Sequence, residues 1–97
     1  MTEIDVTCVG ADGAWDCAVR VRDDTGATDH EVIVAPSALP PGVAAADADA
    51  AEALVRATFG FLLEREPKEA ILRRFDLDVV RRYFPDYDMA MAPRRAD

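Results

Sequence analysis

Apolar and polar side chains alternate in three short runs within the first 34 residues, and this alternation constrains the fold more than any other feature. Successive side chains of a β-strand point to opposite faces, so a period of two predicts strands with one buried face. The runs are EIDVTCV, WDCAVRVR and TDHEVIV, separated by the turn sequences GADG and DDTGA. The segment therefore predicts a three-stranded antiparallel meander. Its inward positions are Ile4, Val6, Cys8, Trp15, Cys17, Val19, Val21, His30, Val32 and Val34.

The first turn sets the register of the first two strands. Asp12-Gly13 suits a type I′ hairpin because both residues tolerate positive φ, and such a hairpin places Cys8 directly opposite Cys17. A disulfide is geometrically conceivable there. We expect two buried, reduced thiols instead, because disulfides are rare in cytosolic proteins and the sequence carries no secretory signal.

The second turn is expected to place Val21 opposite His30. That register would place Arg22 opposite Asp29 and Arg20 opposite Glu31 on the outer face. Opposite charges on directly facing strand positions are favourable, so both arginines are explained without a ligand.

A proline-rich loop is expected over residues 36–46, followed by a long helix over residues 49–65. Asp47 or Asp49 can cap this helix by accepting hydrogen bonds from its first N–H groups. Apolar residues occupy most of its circumference, so it must be covered on more than one side, and we expect part of it to be bare in a monomer.

Two short helices are expected after the long one. Pro67 would open the first, in PKEAILRR, and Asp76 would cap the second, which Pro85 stops. The whole pattern predicts an α+β fold in which a three-stranded antiparallel meander is followed by a long helix and two short helices packed on one face, a two-layer sandwich. We expect one domain over residues 1–88 and a flexible C-terminal tail over residues 89–97.

Charge divides unevenly along the chain. The formal net charge is −8; residues 1–52 carry 11 acids and 2 arginines, which gives −9, whereas residues 53–97 carry 8 acids and 9 bases, which gives +1. Arginine outnumbers lysine 10 to 1 and neither Asn nor Gln occurs, a composition that suggests a GC-rich bacterial genome. No apolar run approaches the roughly 20 residues needed to span a bilayer, so we expect a cytoplasmic protein.

Catalytic and metal-binding signatures are weak. His30 is the only histidine and Ser37 the only serine, and no Ser-His-carboxylate triad can be built around a serine in a proline-rich loop. Asp47, Asp49 and Glu52 resemble metal ligands, but helix capping explains them with fewer assumptions. We therefore predict no enzyme, no metal and no cofactor; an enzyme would need a pocket that holds His30 beside a carboxylate.

Arginine pairs near the C-terminus leave a nucleic-acid alternative open. Residues 67–84 could form a helix-turn-helix in which Arg73, Arg74, Arg81 and Arg82 contact phosphates. The net charge of −8 opposes binding to DNA, and acidic residues are interleaved with these arginines. Solvated or ion-paired helix faces are the favoured interpretation.

Aromatic residues beside two of these arginines give the best interaction candidate. Tyr83, Phe84 and Tyr87 lie next to Arg81 and Arg82, a composition typical of the centres of protein interfaces. We expect a non-enzymatic protein-interaction or regulatory module that self-associates as a homodimer or binds another protein, through this region and the bare part of the long helix.

The C-terminal block from Phe59 to Tyr87, with FLLEREP, FDL and YFP in this order, resembles a block in short uncharacterised proteins of GC-rich bacteria. The resemblance covers about a third of the chain. That group has no assigned activity, so the resemblance implies no functional residue.

Overall fold

The structure is a computed structural model that describes residues 1–39 and 47–91. The α+β class expected from the sequence is confirmed, since four strands form one mixed sheet in the order β1-β2-β3-β4 and three α-helices accompany it. The elements are β1 (Glu3–Ala11), β2 (Ala14–Asp23), β3 (Gly26–Val34), α1 (Ala48–Leu63), β4 (Arg74–Asp76), α2 (Leu77–Tyr83) and α3 (Tyr87–Met91), with single 3-10 turns at Pro36–Ala38 and Lys68–Ala70.

The first hairpin follows the prediction. Asp12 and Gly13 both have positive φ, at 51° and 80°, and Cys8 faces Cys17. The two cysteines form a disulfide with their Cα atoms 4.1 Å apart, so the expectation of reduced thiols is wrong for this structure. Directly opposite residues of a non-hydrogen-bonded pair have the closest Cα atoms in an antiparallel sheet, which brings the two sulfurs within bonding reach.

The register of the second hairpin differs from the prediction by two residues, because His30 lies opposite Val19 and not Val21. The Asp23 carboxylate accepts hydrogen bonds from the backbone N–H and the hydroxyl of Thr25, at 2.8 and 2.6 Å. This local bonding closes the turn one residue earlier than expected. A shift of two residues keeps every side chain on its face, so the predicted inner face is retained.

Charge pairing on the outer face of the sheet changes with the register. Arg20 pairs with Asp29, its Nε lying 2.8 Å from Oδ1. Arg22 instead reaches β1, where its Nη2 lies 2.6 Å from Glu3 Oε2 and 3.2 Å from Asp5 Oδ2. Both arginines are still explained by pairing within the chain.

The long helix begins with the predicted cap, since Asp47 Oδ1 accepts a hydrogen bond from the N–H of Ala50 at 2.8 Å. The expectation of a bare apolar face on this helix is wrong. Its bulky apolar side chains pack against the inner face of the sheet and against the C-terminal helices, and Leu63 alone among them is only half-buried. The buried residues of α1 are Ala51, Leu54, Val55, Thr58, Phe59, Phe61 and Leu62.

Segment 67–76 is the largest departure from the prediction, because the expected helix is only a 3-10 turn followed by strand β4, parallel to β3. The open edge of β3 recruits this backbone: Glu31 N–H donates to the carbonyl of Arg73 at 2.7 Å, and His30 Nδ1 lies 2.9 Å from the carbonyl of Leu72. Extension also lets Phe75 enter the core. Sheet pairing and burial therefore outweigh the helical propensity of PKEAILRR.

The last predicted helix is present as α2, which starts after Asp76 and ends before Pro85. Asp76 occupies the cap position, although its side chain makes no capping hydrogen bond. Residues 89–91, assigned to the expected tail, belong to α3, and residues 92–97 lie outside the described part of the chain. None of the described helices combines the length and apolar character needed to cross a membrane.

Candidate protein-interaction groove

An apolar groove runs between the end of α1 and helix α2. Leu62 and Glu66 line it on one side, and Val79 with Val80 line it on the other. Buried Ile71 and Phe75 reach it from the segment that enters β4. The cavity has a volume of about 360 Å³, which lies in the range of sites that hold a small ligand or a few side chains of a partner.

The groove continues past its first cavity. A second cavity of about 450 Å³ is lined by Leu72, Val79, Arg82 and Tyr83, and three of these four residues also line the first. Leu72 is 57% exposed and Tyr83 75% exposed. Large apolar side chains that remain exposed beside a concave apolar surface are typical of interaction sites. We call the two adjoining cavities together the α2 groove.

Arg65 holds one wall of the α2 groove in place. Its guanidinium lies 3.5 Å from the centroid of the Phe61 ring and donates to the Phe61 carbonyl at 2.9 Å. The same group donates to Asp86 Oδ2 at 2.8 Å, so the end of α1 is tied to the connection between α2 and α3. An arginine can stack on an aromatic ring and bind a carboxylate at the same time, so Arg65 can connect these two segments.

Helix α3 is bonded to α2 through the Arg81–Asp88 pair and to α1 through Tyr87. Arg81 makes a two-pronged contact with Asp88, with distances of 2.7 and 2.8 Å. Tyr87 is fully buried, and its hydroxyl lies 2.7 Å from Thr58 Oγ1. Thr58 gives its single hydroxyl proton to the Leu54 carbonyl at 2.8 Å, so Tyr87 must be the donor to Thr58.

The five residues predicted from sequence to form the interaction site therefore separate into two groups. Tyr83, Phe84 and Arg82 border the α2 groove. Tyr87 lies in the core and is not accessible to a partner, whereas Arg81 is partly exposed and paired with Asp88 within the chain. Leu72 borders the groove but was not predicted, because residues 67–74 were assigned to a helix whose faces could not be placed. Glu66 and Val79 also border it and were not predicted.

The arginines proposed for nucleic acid do not lie on a helix-turn-helix, since residues 67–74 lack the first helix. Arg74 lies 3.5 Å from Glu31, and Arg82 lies 3.2 Å from Asp78 one helical turn away. Together with Arg81, three of the four candidates thus have carboxylate partners within the described residues. Arg73 is exposed.

His30 is a structural residue. Its Nδ1 must donate to the Leu72 carbonyl, because a carbonyl oxygen only accepts, and its Nε2 lies 2.8 Å from Thr28 Oγ1. The ring is 5% exposed and lies 5.2 Å from the ring centroid of Phe59. Both ring nitrogens are thus engaged within the fold, and His30 is not among the residues that line the α2 groove.

The residues that resembled metal ligands also act within the fold. Asp47 caps α1, and Glu52 faces the backbone of β1. Over residues 1–39 and 47–91, no cluster of three or more His, Cys, Asp or Glu side chains is arranged to hold a metal ion.

A buried lysine, Lys68, forms ion pairs and hydrogen bonds that connect two distant segments of the chain. Lys68 Nζ is 2.8 Å from Asp23 Oδ1 and 2.6 Å from Glu69 Oε2, and it donates to Thr25 Oγ1 at 2.6 Å. Hydrogen bonds from Lys68 and Thr25 lower the pKa of Asp23 well below its usual range, and the Asp23 carboxylate raises the pKa of Lys68. This cluster joins the β2–β3 turn to the segment before β4.

Comparison with known proteins provides no relative from which a function could be inferred. The chain matches no protein-family model, no curated protein and no solved structure. No activity or partner is therefore transferred from a relative, and the α2 groove is the feature on which a functional proposal can be built.

Proposed function

We propose that the chain is a non-enzymatic interaction module that self-associates through the α2 groove. The observation that carries this proposal is the exposure of Leu72 and Tyr83 beside two adjoining cavities that both residues line. Burying these side chains against a second protein surface would remove apolar area from water, the main favourable contribution to most associations. From the sequence we expect α1 to take part in the contact. Its bulky apolar side chains are covered within the chain, so we assign the contact to the α2 groove.

Two observations weigh against the alternatives. The one histidine is engaged on both ring nitrogens inside the core, which leaves the groove without the side chain whose ordinary pKa lies closest to neutral pH. DNA binding is disfavoured because residues 67–74 are not helical and the formal net charge of the chain is −8.

We place this module in the cytoplasm, and the disulfide makes that placement testable. Cytosolic thiols are kept reduced, whereas disulfides persist in oxidising compartments. Trapping the thiols of Cys8 and Cys17 at the moment of cell lysis, followed by mass measurement, distinguishes the two. Free thiols support the cytoplasm, and a quantitative disulfide contradicts it.

The test of self-association is light scattering over a dilution series, with Leu72→Ser compared with Val9→Ser. Val9 is a matched control because it is also an exposed apolar residue, 63% accessible, on β1 away from the groove. We expect the wild type and Val9→Ser to dimerise at micromolar concentration and Leu72→Ser to dissociate. A wild-type chain that stays monomeric throughout, or equal behaviour of the two variants, contradicts the proposal.

The dependence of binding on salt concentration distinguishes self-association from nucleic-acid binding. Each chain carries a charge of −8, so two chains repel each other at long range, and added salt screens that repulsion. An apolar association should therefore persist or tighten as salt is raised. Binding to duplex DNA would instead weaken steeply because counterions are released on binding.

A further inference from the structure

The α2 groove carries a projection and a depression on the same surface. The Tyr83 side chain borders both cavities while the residue is 75% exposed, so it protrudes beside the space that it helps to line. Leu72 and Val79 also border both cavities and lie at the centre of the groove. A two-fold symmetric contact requires such a self-complementary patch, because the same residues must act as projection and as receptor.

The two ends of the groove differ in charge. Glu66 lines the first cavity and not the second, and Arg82 lines the second and not the first. Arg82 is exposed and has Asp78 as its neighbour at 3.2 Å. Among the described residues, no ion pair involves the Glu66 carboxylate. A two-fold axis through the middle of the groove would bring the acidic end of one chain onto the basic end of the other.

We infer that the occupant of the α2 groove is a second copy of this chain, related by a two-fold axis. Tyr83 of each copy enters the groove of the other, and Arg82 of each copy pairs with Glu66 of the other. This inference rests on the proposed function and adds the two-fold symmetry and the residues that pair across the contact. Tyrosine is among the residues most often found at the energetic centre of an interface, and charges at the rim fix register and orientation.

Charge reversal tests the pairing. Glu66→Arg would place two arginines together at each end of the dimer, and Arg82→Glu would place two glutamates together there. Each single variant should raise the dimer Kd at least about tenfold, since two favourable pairs become two repulsive ones. The double variant Glu66→Arg/Arg82→Glu recreates opposite charges and should restore the wild-type Kd to within about threefold.

Mixing gives the sharper readout. In a mixture of the Glu66→Arg and Arg82→Glu chains, a heterodimer has opposite charges at both ends, so light scattering and native mass spectrometry should find the mixed dimer where neither chain dimerises alone. Circular dichroism of each variant checks that the monomer remains folded. A mutation that merely unfolds the chain would not be rescued by mixing.

The outcomes distinguish this inference from the function on which it rests. Rescue by mixing and by the double variant supports the two-fold pairing. If Leu72→Ser breaks the dimer and charge reversal neither weakens nor rescues it, the pairing is overturned and self-association through the groove stands. If Leu72→Ser and Val9→Ser are alike, or the wild type is monomeric, both proposals are overturned.

Discussion

Glu52 Oε2 accepts a hydrogen bond from the backbone N–H of Cys8 at 3.0 Å, so that a side chain of α1 satisfies a donor on the outer edge of the sheet. One turn later, Arg56 Nε donates to the carbonyl of Ile4 at 3.3 Å. Unpaired strand edges are templates for pairing with other chains, and natural proteins cover or charge them. Glu52 and Arg56 thus occupy two backbone groups on the free edge of β1 that could otherwise pair with a strand of another chain.

Replacing Glu52 should therefore destabilise the fold and expose this edge. We expect Glu52→Ala to lower the free energy of unfolding by about 1–2 kcal/mol, because the N–H of Cys8 loses a charged acceptor. Urea unfolding measures this loss. Glu64→Ala is the control, since Glu64 directly follows α1 and its side chain is 75% exposed, and it should change stability by less than about 0.5 kcal/mol. If Glu52→Ala and Glu64→Ala lowered the free energy of unfolding equally, Glu52 would have no special role at the edge of β1.

Tyr87 should titrate at high pH. Burial raises the pKa of its hydroxyl to about 12, whereas an unfolded tyrosine titrates near 10. The folded state holds the proton longer, so this contribution to stability is complete below about pH 10 and is lost as the pH rises toward 12.

The measurement is an ultraviolet absorbance titration of phenolate in the Tyr83→Phe variant, where Tyr87 is the only tyrosine. We expect phenolate to form well above pH 10 and together with the loss of near-ultraviolet circular dichroism. A midpoint near that of a free tyrosine in a folded chain would show that Tyr87 is not buried as described.

Reduction of the Cys8–Cys17 disulfide should lower stability without abolishing the hairpin. The cross-link closes a short loop, with the cysteines nine residues apart in the chain, and the entropy of such a loop predicts a loss of about 2–3 kcal/mol. Thermal unfolding with and without a thiol reductant measures it. The Cys8→Ala/Cys17→Ala variant should be insensitive to reductant; an unchanged melting temperature of the wild type would indicate that the bond contributes nothing.

Acid should weaken the Lys68 cluster. The pKa of Asp23 is lowered by Lys68 and Thr25, so its contribution to stability is present above the pKa of an unfolded aspartate, near 3.9, and is lost as the pH falls below that value. Lys68→Met should show a smaller loss of melting temperature than the wild type between about pH 5 and pH 2. Asp24→Asn, at an exposed neighbour in the same turn, should keep the wild-type slope; identical slopes for Lys68→Met and the wild type would contradict the prediction.

The sequence was most informative where local chemistry decides the structure. Alternation places His30 and Val32 on the inner face, and Asp12-Gly13 dictates the register that sets Cys8 against Cys17. The second turn was misplaced because the side chain of Asp23, rather than the position of a glycine, determines where it closes.

Long-range contacts limited the prediction of the site. The backbone of Leu72 leaves the helical pattern because His30, distant in sequence, bonds to its carbonyl. An aromatic residue of the core and one of an interface look alike in a sequence, so Tyr87 and Tyr83 could be told apart only when Thr58 proved to lie beside Tyr87. Composition drew attention to residues 81–87 but could not apportion them between core and surface.

Strand β4 joins the sheet through only three register pairs, which connect residues 31–33 to residues 74–76 across the whole of α1. Short, long-range elements of this kind open before the rest of a protein unfolds. Because Leu72, Phe75 and the start of α2 lie in or beside β4, we expect the α2 groove to open locally more readily than the β1–β3 part of the sheet. Occupation of the groove would then slow hydrogen exchange in β4 and α2, which couples recognition to the local stability of this corner of the fold.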